Sequence, residues 1–435
     1  MTRMKDSGIE WIGEVPEEWG TGKIKYYAEI SAGSTPDRTN ELFWNGDIPW
    51  MASGEVNQGV VTHTAEKITK LGLRNTSTKL LSKGTVMLAL NGQGKTKGTA
   101  AILNIETASN QSLASFDVNN EFVNGYFLYY YFVANYSNIR GLKGEDRDGL
   151  NLKLVSNIEI PLPSIDEQLK IADFLDKKVA QLDKVKSLLE EQIKTLEDYR
   201  QSLIYETVTK GLDKTVPLKD SGVDWIGQIP EGWGVSRLDM YVAIYGRIGF
   251  RGYTSSDIVE EGEGAISLSP SNIVEHKVVN YNNTYVSWDK YDESPEIQVQ
   301  EGNILYVKTG SSYGKAGLVT SLSEKSTINP QLVIFKCRKY VEARYINYLL
   351  NCQLGKDQSE LIVGGSTIPT ISQEKLRKMQ FPYISFDDQN QIANFLDKKT
   401  EQINQMIAIK KEQIDNINKQ RQTLIYDYVT GKRRV

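Results

Sequence analysis

Cysteine and histidine are scarce. The 435-residue chain has two of each: Cys337 and Cys352, His63 and His276. Two cysteines build no disulfide framework and fit a reducing cytoplasm. Two histidines far apart in sequence give poor support to a histidine metal site, or to a histidine-dependent triad in each half. No apolar run approaches the roughly 20 residues that cross a bilayer. The opening Met1-Thr2-Arg3-Met4-Lys5 lacks the apolar core of a secretory signal. Charge of one sign is not in excess either. The formal net charge of −4 is not that of a strongly basic nucleic-acid binder, although local surface charge decides phosphate affinity. No carboxylate pair stands out as catalytic. With 24% charged residues and a mean hydropathy of −0.41, the composition is that of a soluble globular protein. The length suggests about three domains.

Proline and glycine are missing from one long stretch, Asp166 to Lys210, so nothing there breaks a helix. Leu175, Leu182, Leu189, Leu196 and Leu203 recur every seven residues, and Val179 and Ile193 sit four residues after a leucine. This is an a/d seam. Asp166 and Glu167 suit the positive start of a helix, and Gly211 its end. At 1.5 Å per residue the helix is roughly 60 Å long. Its single apolar stripe requires a partner. From Asp387 to Thr430 the beat returns in Leu396, Ile403, Ile417 and Leu424, with Ile407 and Ile414 between and Lys410 as one break. Gln168, Ile171, Ala172, Phe174, Leu175, Asp176, Lys177 and Lys178 recur as Gln389, Ile392, Ala393, Phe395, Leu396, Asp397, Lys398 and Lys399. Arg200-Gln201 and Leu203-Ile204-Tyr205 recur as Arg421-Gln422 and Leu424-Ile425-Tyr426. Two such helices most simply pair as an intramolecular coiled coil. Antiparallel packing would bring the end of the second near Met1.

The repeat extends to the opening of each half. Lys5-Asp6-Ser7-Gly8, Trp11-Ile12-Gly13, Pro16-Glu17 and Trp19-Gly20 return as Lys219-Asp220-Ser221-Gly222, Trp225-Ile226-Gly227, Pro230-Glu231 and Trp233-Gly234. Identical placement of the four tryptophans argues for packing rather than stacking platforms. The paired lysines read as a solvated face. Arg200 and Arg421 fall on the seam, where they fix register or meet a partner protein. The stretches 22–165 and 235–386 read as mixed α/β, with short β-rich runs and helices over Val123–Tyr136 and Ala343–Leu354. Pro161-Leu162-Pro163 and Phe381-Pro382 close each domain before its long helix.

The domain bodies diverge more than their frames. Asn91-Gly92-Gln93-Gly94-Lys95 faces Thr309-Gly310-Ser311-Ser312-Tyr313-Gly314-Lys315. Neither is a nucleotide-binding P-loop. Ala89 stands at the first glycine position before Gly94-Lys95-Thr96, while Gly310 is one residue too close to Gly314-Lys315 and Ala316 replaces the Ser/Thr. Glycine lets a backbone approach a ligand closely. Lysine meets phosphates, and Asn and Gln pair with adenine edges in the major groove. The plain alternative is a tight turn beside a strand. As DNA-contact candidates we take Asn91, Gln93, Lys95 and Lys97 in the first domain. In the second we take Lys308, Ser311, Ser312, Tyr313 and Lys315. Asn110, Gln111, Asn329 and Gln331 form a second rank. No catalytic or metal-ligating residue is assigned.

The duplicated opening string, the proline exit, the Glu167-Gln168…Ile171-Ala172…Leu175-Asp176 start and the Leu203-Ile204…Val208-Thr209 end resemble the specificity subunit of type I restriction–modification systems. The second helix departs slightly, with Asp388-Gln389 for Glu-Gln. The resemblance implies an α+β fold. Two mixed α/β target-recognition domains are separated by a pair of long antiparallel helices in pseudo-twofold arrangement. The expected boundaries are 1–165 for the first domain, 166–212 for the first helix, 213–386 for the second domain, and 387–435 for the second helix and tail. It implies a non-catalytic chain that reads a bipartite double-stranded DNA target, one half per domain. The helices would set the gap and dock two methyltransferase subunits. Those subunits would methylate adenine at N6 with S-adenosylmethionine, and a restriction subunit would use ATP and Mg. A fused methylase–nuclease, a methylation-only system, and a coiled-coil scaffold for proteins without DNA are the alternatives.

Overall fold

The computed structural model describes residues 3–142, 149–247, 252–365 and 367–435. Met1, named above for its proximity to the second helix, lies outside them. The chain forms two compact units, Met1–Glu190 with Lys411–Val435, and Glu191–Lys410. No described helix is long and apolar enough to cross a membrane. The heptad stretches are helices, Ile165–Lys210 and Phe386–Val429. Ser164 and Ser385 cap their starts. The amide of Glu167 donates to Ser164 Oγ at 3.3 Å, and that of Asp388 to Ser385 Oγ at 3.1 Å. Gly211 and Gly431 take the left-handed turn at their ends, with φ of +73° and +72°.

The units cut across the four-part division drawn from the sequence, because each takes half of each long helix. In the first unit the start of one helix lies against the end of the other. Phe174 meets Tyr428 with ring centroids 4.5 Å apart, and Arg421 Nε faces Asp183 Oδ1 at 3.2 Å. First-helix numbers rise as second-helix numbers fall, so the pairing is antiparallel. In the second unit Gln192 accepts from Lys410 Nζ at 2.6 Å, and Arg200 bonds Asn404. The same antiparallel sense holds there. The seam arginines therefore set register with the other helix, and the Lys410 break finds a polar partner.

In the first unit a five-stranded sheet has the order Ala28–Ala32, Leu113–Val118, Val86–Ala89, Ala100–Leu103, Val60–Val61. Only its last pair is parallel. A smaller sheet joins Ala108–Ser109, Trp44–Met51 and Glu66–Ile68. The second unit repeats this plan. Its main sheet runs Val242–Gly246, Leu332–Cys337, Ile304–Val307, Ala316–Leu318, Lys277–Val278, Ile273–Val274, beside a four-stranded sheet. In each unit the main sheet is covered by the domain helix and by the long helices in one core: Phe116, Phe127, Ile171, Leu175 and Ile425 in the first, Phe335, Tyr345, Ile392, Leu396 and Val208 in the second.

Three expectations need correction. The helix expected over Val123–Tyr136 is two helices, Gly125–Ala134 and Tyr136–Gly141. Asn135 interrupts it, donating its side-chain amide to Tyr131 O at 3.0 Å. The helix expected over Ala343–Leu354 stops at Asn351, because Cys352 is extended (ψ 174°) before a new helix Gln353–Ile362. Of the four tryptophans, Trp19 is buried and Trp11 donates to Tyr131 Oη at 3.1 Å, but Trp225 is 39% exposed. Packing thus accounts for the first copy better than the second.

Candidate nucleic-acid interface

The same anchors hold each long helix to its domain. Gln168 is fully buried. Its Oε1 accepts from Asn124 N at 2.8 Å, and its Nε2 donates to Phe122 O at 2.8 Å and Pro163 O at 3.0 Å. Gln389 repeats the motif, accepting from Glu342 N at 2.9 Å and donating to Ile384 O at 3.1 Å. Tyr130 donates to Asp176 at 2.5 Å and Tyr348 to Asp397 at 2.7 Å. Burial raises both phenols, and the carboxylates beside them raise them further. Here the copies begin to differ. Arg344 pairs with Asp397 at 2.8 Å, whereas Tyr126 stands in the matching place beside Asp176. Burial raises the Asp176 carboxyl.

Above these anchors the predicted residues gather at one edge of each main sheet. In the first unit the hairpin between Val86–Ala89 and Ala100–Leu103 carries Asn91, Gln93 and Lys95, all exposed, and the half-buried Lys97. Its backbone is pinned. Tyr136 Oη donates to Lys95 O at 2.9 Å, Thr99 Oγ1 to the same oxygen at 2.7 Å, and Arg140 Nη1 to Lys97 O at 3.0 Å. Asn110 and Gln111 lie beside this hairpin, since Leu90 N donates to Ser112 O at 2.8 Å. The structure thus brings both ranks of the first domain together.

The second unit does the same with different chemistry. The amides of Lys308 and Thr309 both donate to Gln331 O, at 2.9 and 3.3 Å. Asn329 Nδ2 donates to Gln331 Oε1 at 3.1 Å. Gly314 N closes the loop on Val307 O at 2.9 Å. Ser311 is exposed, while Lys308, Ser312, Tyr313 and Lys315 are half-buried. Tyr313 packs against the apolar core, so its ring has a structural role beside any contact role. A cavity of about 610 Å³ in this unit is lined by Arg200, His276, Asn347 and Tyr348 among others. None of the predicted residues lines it. Among the described residues no cluster of His, Cys, Asp and Glu could hold a metal ion.

Sequence reasoning missed a third segment of the first face, Gly33 to Asn40. Gly33 packs so closely that a Cβ would lie 2.0 Å from Ser109 O. Ser34 N donates to that same oxygen at 2.9 Å, and Thr35 Oγ1 to Gln111 Oε1 at 2.5 Å. Two indole N–H groups hold the loop from below, Trp50 on Ser34 O at 3.1 Å and Trp44 on Asp37 O at 3.0 Å. The run Gly33-Ser34-Thr35-Pro36-Asp37 carried a turn signal, but nothing in it pointed across the chain to Gln111.

Residues 16–197 match the family model described as type I restriction modification DNA specificity domain. The type I restriction enzyme MjaVIII specificity subunit of Methanocaldococcus jannaschii is 22% identical over 430 residues, covering 97% of this chain and 94% of that protein. A solved structure, described as the structural basis of complex assembly and conformational transition of the type I R-M system, matches with a TM-score of 0.76. It is 17% identical, over 96% of this chain and 99% of that one. The HsdS subunit from Thermoanaerobacter tengcongensis matches at 0.56 with 18% identity, over 96% and 98%. At such identities the two structures speak for the fold. The sequence matches speak for descent: residues 16–197 match the DNA specificity domain of type I restriction–modification systems, and the chain is similar over nearly its whole length to type I restriction enzyme specificity subunits.

Proposed function

We propose that this chain is the DNA-reading, non-catalytic subunit of a methyltransferase complex, and that each domain reads one half of a bipartite target. The observation that carries this is the contrast within the duplicated unit. Gln168 and Gln389 each tie a backbone amide and the carbonyl before the long helix, and the Tyr130–Asp176 and Tyr348–Asp397 pairs repeat. The loops above them do not: an exposed Asn-Gly-Gln-Gly-Lys in one, a largely half-buried Gly-Ser-Ser-Tyr-Gly-Lys in the other. One scaffold with two different polar, lysine-bearing loops suits two different base sequences. Lysines at these edges meet phosphates, and Asn and Gln meet base edges.

Helices of 46 and 44 residues, about 65–70 Å at 1.5 Å per residue, provide a ruler for the gap between the half-sites. On the same reading, two methyltransferase subunits dock on the chain and supply S-adenosylmethionine chemistry, and a restriction subunit supplies ATP and Mg chemistry. The test is co-expression with a methyltransferase subunit, followed by mapping of N6-methyladenine across the host genome. A bipartite motif is expected. Lys315→Ala should weaken binding to one half-site only, in a titration at fixed salt. No bipartite motif would favour a protein scaffold.

A further inference from the structure

The Gly33–Asn40 loop presents one side chain, Arg38, that is held from two directions. Arg38 Cζ lies 4.1 Å from the ring centre of Trp44 and 5.2 Å from that of Trp50. The two rings are themselves locked edge to face, with centroids 5.2 Å apart. Along its edge, the guanidinium forms a two-pronged pair with Glu66, Nη2 to Oε2 at 3.0 Å and Nη1 to Oε1. Yet the Arg38 side chain is 53% exposed. An exposed arginine ordinarily loses several rotatable bonds of freedom when it binds. Here stacking and the carboxylate fork have already fixed it. A surface ion pair contributes little to stability, so stability alone is a weak reason for so constrained an arrangement.

Its neighbourhood is the reading edge. Thr35 of the same loop hydrogen-bonds Gln111, and Trp50 pairs in register with Ala108, two residues before Asn110. The second domain has Arg247 where the first has Gly33, on the strand end that pairs with Leu332–Cys337. Arg247 is buried, donating to Ile328 O and Thr327 Oγ1. Among the described residues, an exposed arginine over two edge-to-face tryptophans is found on the first domain's loop and Arg247 does not reproduce it, as expected of a residue that distinguishes one half-site from the other.

We propose that Arg38, buttressed by Glu66 and seated on Trp44 and Trp50, reads a guanine in the half-site of the first domain. The inference rests on the DNA-reading function proposed above. A guanidinium offers parallel N–H donors to guanine O6 and N7, the commonest specific contact in the major groove. Two N–H groups face Glu66, which leaves three of the five guanidinium N–H donors for a ligand on this half-exposed side chain. The carboxylate also keeps the arginine from settling on the nearest phosphate.

The test is the same methylome, from the full chain co-expressed with its methyltransferase subunits, for the native chain and for Arg38→Ala, Arg38→Lys and Glu66→Gln. In Arg38→Ala, preference for guanine at one position of one half is expected to fall by about 5- to 150-fold, while the other half is unchanged. Arg38→Lys should behave alike, because an ammonium keeps the charge but not the fork. It also serves as the readable variant if Arg38→Ala does not accumulate. Glu66→Gln should relax the same position less. A native bipartite motif that survives Arg38→Ala and Arg38→Lys overturns the assignment. So does uniform loss of methylation at every site with the motif intact, which is the mark of a phosphate contact. A native motif that is not bipartite strikes the proposed function instead.

Discussion

The buried glutamine at the start of each long helix offers the sharpest test of how the frame is held. Gln168→Leu keeps volume and burial but removes every polar bond. It strands the Asn124 amide and the carbonyls of Phe122 and Pro163, all partnered by one side chain at 2.8–3.0 Å. Each buried amide group left unpaired costs about 1–3 kcal/mol. These three adjoin, and partial relaxation spares some of the loss, so about 3 kcal/mol is expected for the first unit. Gln389→Leu strands two groups rather than three, and about 2 kcal/mol is expected for the second. The two units need not unfold together, so a single melting curve is the wrong assay. Hydrogen exchange read peptide by peptide is the right one. In Gln168→Leu, exchange over Gly125–Ala134 and the first turns of the following long helix should accelerate by roughly 100-fold. The second unit should not change. A change below about 0.5 kcal/mol, or one spread equally over both units, would refute the claim that this side chain fastens helix to domain.

Other consequences follow from the same frame. Gly431→Ala would place a Cβ 2.4 Å from Pro16 at a φ of +72°, and should destabilise the first unit by more than about 2 kcal/mol. Gly211→Ala has its nearest neighbour, a Trp233 ring carbon, at 3.0 Å and should cost about 1–2 kcal/mol; hydrogen exchange read within each variant's own unit decides the order. Burial raises the Asp176 carboxyl above its ordinary 3.8; the nearby Asp173 adds to this, against the bond from Tyr130. The folded state therefore holds its proton more tightly than the unfolded one. This contribution is fully present below pH 3.8 and is lost as pH rises through the folded value. Asp176→Asn keeps an acceptor for Tyr130 and should flatten that part of the stability profile, measured by denaturant titration across the acid range. A steeper profile would contradict the assignment.

The long helices were legible to within one or two residues, because seven-residue spacing and the lack of Pro and Gly leave a chain no other choice. Asp166, Glu167 and Gly211 mark the ends of the first helix by equally local signals, whereas the capping by Ser164 and Ser385 and the turn at Gly431 emerge from the structure. The pairing of the helices could be expected from residue identity at constant offset. The helix breaks at Asn135 and Cys352 were not legible, since each depends on one side chain or one extended residue inside a run of good apolar pattern. The sheet order was beyond reach for another reason: Ala108–Ser109 joins Trp44–Met51 in parallel, across more than fifty residues of chain. At the candidate interface, the glycine-rich loops stood out by composition. The Gly33–Asn40 loop did not, because its importance lies in what touches it, two indoles and Gln111, and of these only Trp44 is near it in sequence.

The first unit is assembled from both extremities of the chain. Tyr426 Oη donates to Trp11 O at 3.2 Å, Lys432 Nζ to Glu14 O at 2.5 Å, and Arg434 Nη1 to Glu167 at 2.9 Å. On the ribosome, the opening segment must therefore wait for some 220 intervening residues before its final partner exists. At ordinary synthesis rates of about 5–20 residues per second, that is a delay of roughly 10–45 seconds. The unit formed by consecutive residues, Glu191–Lys410, has no such wait. The half of the protein made first is thus the last to be finished, and a premature stop before Ile425 and Val429 takes core side chains from it and not from its twin.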